Sequence, residues 1–103
     1  MRTTFLENVS TSGAIDLNNT KSFVSQSSII TFTAVGFGSG SWTATINLYP
    51  SFERAYVGNE PIIFTLSNTT PMITNTIQTA IKDYVANVSS ITGTVSVKLF
   101  GDY

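Results

Sequence analysis

Gly36, Gly38 and Gly40 stand at alternate positions in "AVGFGSGSWTATINLY" (34–49), the nearest approach in this chain to a phosphate-binding loop. A dinucleotide loop needs G-x-G-x-x-G opening a helix, so that pyrophosphate meets free amides at the helix N-terminus. Here Ser41 fills the third required position, and the residues after it read as a strand. A Walker loop needs Gly-Lys-Ser/Thr, and no lysine is near. The glycines are therefore expected to form a hairpin loop whose residues can take positive φ. Acid/base catalysis would need paired carboxylates. Glu7, Asp16, Glu53, Glu60, Asp83 and Asp102 are spread along the chain, and only Glu53 and Glu60 share a loop, where acids are ordinarily just solvated. Serine and threonine abound, but with no histidine the commonest base for a serine nucleophile is missing. The absence of cysteine and histidine also excludes disulfides, thiol chemistry and zinc sites built on those ligands. The expectation is a protein that is no enzyme, with no cofactor and no metal.

What remains for binding is aromatic. "LYPSFERAYVGNE" (48–60) places Tyr49, Phe52 and Tyr56 around Glu53 and Arg54. Aromatics on a loop beside polar residues suit a sugar platform or a protein interface. Equally, Phe52 and Tyr56 can cap one end of a small core. Trp42 heads an apolar strand face and reads as core. Phe5 and Leu6 lie in an otherwise polar lead-in, and Tyr103 ends the chain. The candidate contact residues are thus Phe5, Leu6, Tyr49, Phe52, Arg54, Tyr56 and Tyr103.

The elements that must hold these side chains emerge from composition and period. Charged residues make up 11% of the 103 residues, against about 25% in ordinary soluble domains. Threonine and serine take their place, and β-branched threonine favours a pleated, half-buried surface. In 42–49, Trp42, Ala44, Ile46 and Leu48 alternate with Thr43, Thr45, Asn47 and Tyr49, the period of a half-buried strand, with Pro50 expected to end it. Ile30, Phe32 and Ala34 alternate upstream, so "GFGSGS" is expected to join two strands as a hairpin. Further strands are expected at 13–17, 21–25, 61–67 and 94–100, with Gly93 at a turn. Residues 74–88 read two ways. Ile77, Ala80, Ile81, Tyr84, Val85 and Val88 make a helical stripe, while the threonines and Tyr84-Ala86-Val88 favour two strands bent near Lys82-Asp83. Residues 1–12 read as an N-terminal arm or edge strand, able to order on docking, and 13–103 as one domain. The expected fold is all-β: a small antiparallel β-sandwich, jelly-roll or Ig-like, of seven to nine short strands.

Charge and hydropathy narrow the partners. The net charge is −1, and Arg2, Lys21, Arg54, Lys82 and Lys98 are scattered. Nucleic-acid binding needs clustered cations, so it is excluded. No apolar run is long enough to span a membrane, and the start carries no signal-peptide pattern. A surface of hydroxyls and amides suits packing against copies of itself or a partner, so a homo-oligomer is expected.

"GSGSWTATINLY", a loop, and then "DYVANVSSITGTVSVKLF" together resemble a class of small β-sandwich proteins and modules of tailed bacteriophages. In these a strand beginning Gly-x-Trp-x-(Ala/Gly)-Thr precedes a loop, and a late Tyr-Val strand turns through Thr-Gly into a final Val-x-Val strand. The resemblance covers roughly residues 28–100. It departs from the pattern at Pro50 to Arg54, where Asp-Gly-Gly is often seen, and at Ala86-Asn87, where an Arg is often found. The resemblance implies a virion structural protein assembled in the host bacterial cytoplasm. It would be a capsid decoration subunit, or a neck or tail accessory, partnered by the major capsid or another virion protein. A second reading from another class is a carbohydrate-binding or receptor-binding module that stacks a surface glycan on Tyr49, Phe52, Trp42 or Tyr56.

Overall fold

A strand of 24 residues would run about 80 Å if straight, yet the longest dimension of the molecule is 41 Å. The strand is β3 (Ile29–Phe52), and its bend organises the fold. The computed structural model describes residues 2–11, 21–22, 29–52, 55–56, 62–78 and 83–103. The other strands are β1 (Arg2–Val9), β2 (Lys21–Ser22), β4 (Ala55–Tyr56), β5 (Ile62–Ser67), β6 (Met72–Gln78) and β7 (Asp83–Asp102). All belong to one sheet, every pairing is antiparallel, and no described residue is helical.

The bend falls on one line across three strands. On β3, Ser39 pairs with Thr94 of β7 and the next pair is Thr43 with Thr92. Gly40, Ser41 and Trp42 therefore oppose Gly93 alone, a bulge that adds residues to one strand and turns it sharply. Gly40 and Gly93 both have positive φ, +67° and +80°. On the other side of β3, β5 pairs with 43–48 and β6 with 29–35, so the turn at 68–71 lies level with the bulge. Asn68 ties the two together: its N–H donates to the Trp42 carbonyl (3.2 Å), and its Oδ1 accepts from the Trp42 N–H (3.3 Å). Ser67 Oγ accepts from the N–H groups of Thr69 and Thr70 and fixes the turn locally.

Chain length shows how far the sheet folds over. β6 ends at Gln78, opposite Ile29; β7 begins at Asp83, opposite Ser51. Five Cα steps reach at most about 18 Å. The two ends of β3 are thus brought together, and the two halves of the sheet face each other. Phe32 of the first half meets Tyr84 of the second edge to face, with ring centroids 5.1 Å apart, and Phe5 packs on both. Ile30, Phe32 and Ala34, then Ala44, Ile46 and Leu48, point into this core from β3. β5 contributes Phe64 and Leu66; β7 contributes Val95, Val97 and Leu99. β1 breaks the alternation: Phe5 and Leu6 are consecutive and both buried. A register shift between Thr4 and Leu6 allows this by displacing one residue from the pleat.

The all-β, antiparallel expectation holds, and several of its parts need correction. "GFGSGS" is not a hairpin loop; β3 runs through it without reversing. The glycines are there because the Trp42 indole lies across them. A Cβ on Gly36 would fall among the Trp42 ring atoms, and one on Gly38 would lie 2.7 Å from Trp42 Cδ1. Pro50 does not end the strand, which continues to Phe52. It lies between the β5 ladder, which stops at Leu48, and the β4 ladder, which starts at Ser51, where a missing donor disturbs no pairing on that side. Gly93 has its positive φ within a continuous strand rather than at a turn. In place of a set of uniformly short strands, β3 and β7 are 24 and 20 residues long. Over 74–78 and 83–88 the strand reading holds, with Ile77 in β6 and Tyr84, Val85 and Val88 in β7. Residues 61–67 and 94–100 are strand from Ile62 onward, as expected. The strand expected at 13–17, most of that at 21–25, and the bend at Lys82 lie outside the described residues.

Candidate functional site

The residues singled out for contact do not converge. Phe5 and Leu6 are 4% and 9% exposed and belong to the core described above. Trp42, offered as a stacking platform in the glycan reading, is also buried. Tyr49 is half-buried near the far end of β3, where its hydroxyl accepts from Asn47 Nδ2 at 3.4 Å. Tyr103 shares a hydrogen bond of 3.3 Å with Thr3 Oγ1 beside β1. Phe52 and Tyr56 are paired in strands through their backbones, but their side chains, and Arg54 altogether, lie outside the described residues.

Titratable chemistry is sparse where the structure describes it. Among the described residues no three of His, Cys, Asp and Glu come together. The described charged side chains form two pairs along β1 and β7. Arg2 donates Nε–H to Asp102 Oδ1 (2.8 Å) and Nη2–H to Oδ2 (3.2 Å), a bidentate pair between direct cross-strand neighbours. This hydrogen bonding holds the Asp102 carboxyl below its ordinary range and raises the Arg2 guanidinium. The same guanidinium lies 4.0 Å from the Phe100 ring centroid. Lys98 Nζ and Glu7 Oε1 are 3.9 Å apart.

The apolar surface lies elsewhere. Phe37 and Met72 are each 59% exposed, Ile63 58% and Ile29 53%. Phe37, Ile29 and Val35 share the outer phase of β3, opposite in pleat to Phe32 and Ala34. Met72 is the cross-strand partner of Val35, and Phe37 is two residues further along, so these three form one patch near the bend. The outer face is otherwise dressed by hydroxyls, with Thr31 and Thr76 hydrogen-bonded across the ladder at 2.9 Å, and Thr43 and Thr92 likewise bonded. None of the exposed apolar residues is among the sequence candidates. Phe37 sits between two glycines and reads as loop; Met72 comes directly after a proline. The signal that could have found them is the threonine phase of "IITFTAVGFG", which carries Ile29, Val35 and Phe37 on the face opposite the core.

Within the described residues the arrangement offers three surfaces: charged pairs along β1 and β7, a threonine-covered face and an apolar patch. No family model, curated protein or solved structure matches the chain.

Proposed function

We propose that this chain is a non-enzymatic structural subunit of a tailed-bacteriophage particle, in first place a capsid decoration subunit and otherwise a neck or tail accessory. The observation that carries this reading is the surface. Large apolar side chains are exposed on a sheet face dressed largely by hydroxyls, while the described charged side chains lie along β1 and the strand beside it, β7, with Lys98 opposite Val35. Such a face favours docking on protein. The phage setting rests on the resemblance, and its motif residues Gly40, Trp42 and Gly93 are those of the bend. We accordingly read the folded-over sheet as a jelly-roll- or Ig-like sandwich. The test is co-sedimentation of the purified chain with mature heads, procapsids and tails of the phage that encodes it. Saturable binding to heads supports decoration, binding to tails alone supports the accessory role, and binding to neither overturns the virion reading.

A glycan-binding module is the second reading, and one cluster favours it. Asn47 and Asn87 are cross-strand partners beside Tyr49, and Asn87 Oδ1 is buried without a hydrogen-bond partner among the described residues. Amides beside an aromatic ring are groups that sugars use. A glycan array separates the two readings: binding that is lost on Asn87→Ala while the fold is kept would establish this one.

A further inference from the structure

The two outer strands of the first half-sheet are built differently. β1 carries charged Arg2 and Glu7, two register shifts, and Asn8 at a positive φ of 53°. These are devices that stop an edge from pairing with another chain. β6, "MITNTIQ", carries none of them: no charge, no proline within the strand and no register shift. Among the described residues it pairs with β3 alone, and Met72, Thr74, Asn75, Thr76 and Gln78 are exposed.

The direction of its free groups is set by one hydrogen bond. Gly36 N–H donates to the Pro71 carbonyl at 2.8 Å, so 36 and 71 form a hydrogen-bonded pair. Such pairs alternate along an antiparallel ladder. Residues 73, 75 and 77 therefore spend their N–H and C=O groups on β3, and Met72, Thr74, Thr76 and Gln78 aim theirs away from it, at an edge that no other described strand covers. The sequence is also close to a palindrome about Asn75: Thr74 mirrors Thr76, and Ile73 mirrors Ile77.

We infer that β6 is the contact between two copies of this chain, paired antiparallel about a two-fold axis at Asn75. In this register Thr74 lies opposite Thr76 of the second copy, and Met72 opposite its Gln78. Both are positions whose free N–H and C=O groups meet, so each such pair exchanges two hydrogen bonds. Ile73 faces Ile77 of the second copy at a non-hydrogen-bonded position, where side chains approach most closely. Both isoleucines are only half-buried in one chain and pack against its core. A second copy completes their burial. β5, the outer strand of the other half, has less to gain on its inner face, where Ile62 alone is half-buried and Phe64 and Leu66 are already fully buried. Moving the axis to Thr74 or Thr76 sets isoleucine against asparagine, so the register is singular. The result is an isologous dimer in which the two half-sheets continue as one. An edge of seven residues is small for a stable interface, so the dimer is weak and concentration-dependent. This inference stands whether or not the chain binds a virion.

Sedimentation velocity on the full chain at about 100 μM, where interfaces at the small end of the range assemble, tests it together with paired variants. T74K/T76K sets lysine against lysine across the axis; T74K/T76E sets lysine against glutamate. Both lose the Thr31–Thr76 hydrogen bond equally, and the Trp42 emission spectrum reports whether each is folded. The expected result is a dimer for the unaltered chain, a monomer for T74K/T76K and a dimer again for T74K/T76E. An unaltered chain that is monomeric, or two double variants that behave alike, overturns the inference. Because the chain has no cysteine, Asn75→Cys is a second, independent readout. In this register it oxidises to a covalent dimer at least tenfold faster than Thr74→Cys, whose partner is displaced by two residues; equal rates overturn the inference.

Discussion

The Trp42 indole lies over Gly36 and Gly38, so a methyl group at either position has no room beside it. Gly38→Ala is expected to destabilise by about 1–3 kcal/mol, the cost of overpacking a filled site. Gly40 is different: its φ is positive but a Cβ there meets nothing within 4 Å, so Gly40→Ala loses only the backbone cost of about 1 kcal/mol. Gly93 combines both problems, with φ +80° and a Cβ that would lie 2.5 Å from the Ser41 carbonyl oxygen. Gly93→Ala should therefore be the worst of the three. Denaturant midpoints monitored by the single tryptophan give the order directly, and Gly40→Ala at or beyond Gly93→Ala would contradict it. Arg2 and Asp102 give a second residue-scale prediction. The carboxyl titrates below its ordinary value because Arg2 donates to it. The pair's contribution to stability is present above the unfolded pKa and is lost as pH falls through the lower folded one. Arg2→Gln should raise the Asp102 midpoint towards the ordinary range in a carbon-detected NMR titration; no movement refutes the coupling.

Elements are legible where period two is undisturbed. In 42–49 and 94–100 the alternating apolar residues read directly as strands, and both are strand. The misreadings share a physical cause: glycine and proline read as local punctuation while a distant side chain or partner strand sets their role. Gly36 and Gly38 make space for an indole four or more residues away, and Pro50 falls in a gap between two partner strands. Phe5 and Leu6 stand out as apolar residues in a polar stretch, and that same property takes them into the core through a bulge no pattern reveals. Asn68 gives no signal, since its two hydrogen bonds to Trp42 cross 26 residues of sequence. Asn68→Ala removes the side-chain half of that clamp. It should cost about 1 kcal/mol, the usual net value of one hydrogen bond, and speed amide exchange at Trp42 more than at Ala44. Unchanged exchange at Trp42 would show that the turn and the bulge are not coupled.

At the scale of the molecule, the sheet joins residues far apart in sequence, from Arg2 with Asp102 to Thr31 with Thr76. Loop closure must precede most of the stabilising contacts, so folding should be slow for the chain length, in milliseconds to seconds. Stopped-flow refolding monitored at Trp42 checks this; a microsecond phase carrying the full amplitude would not fit. The aromatic trio Phe5, Phe32 and Tyr84 joins the two half-sheets, so Phe32→Ala should cost about 3–5 kcal/mol. The loss should appear equally in fluorescence and far-ultraviolet dichroism if the halves unfold as one unit.

Arg2 and Asp102 are direct partners in the ladder, about 5 Å apart at their Cα atoms. A few glycines could splice the chain head to tail, and the gene could then be reopened at the surface turn of Asn68 and Thr69. Such a circular permutant leaves the strand ladders as they are, cuts the turn that Ser67 and Asn68 hold, and turns the pair most distant in sequence into a local one.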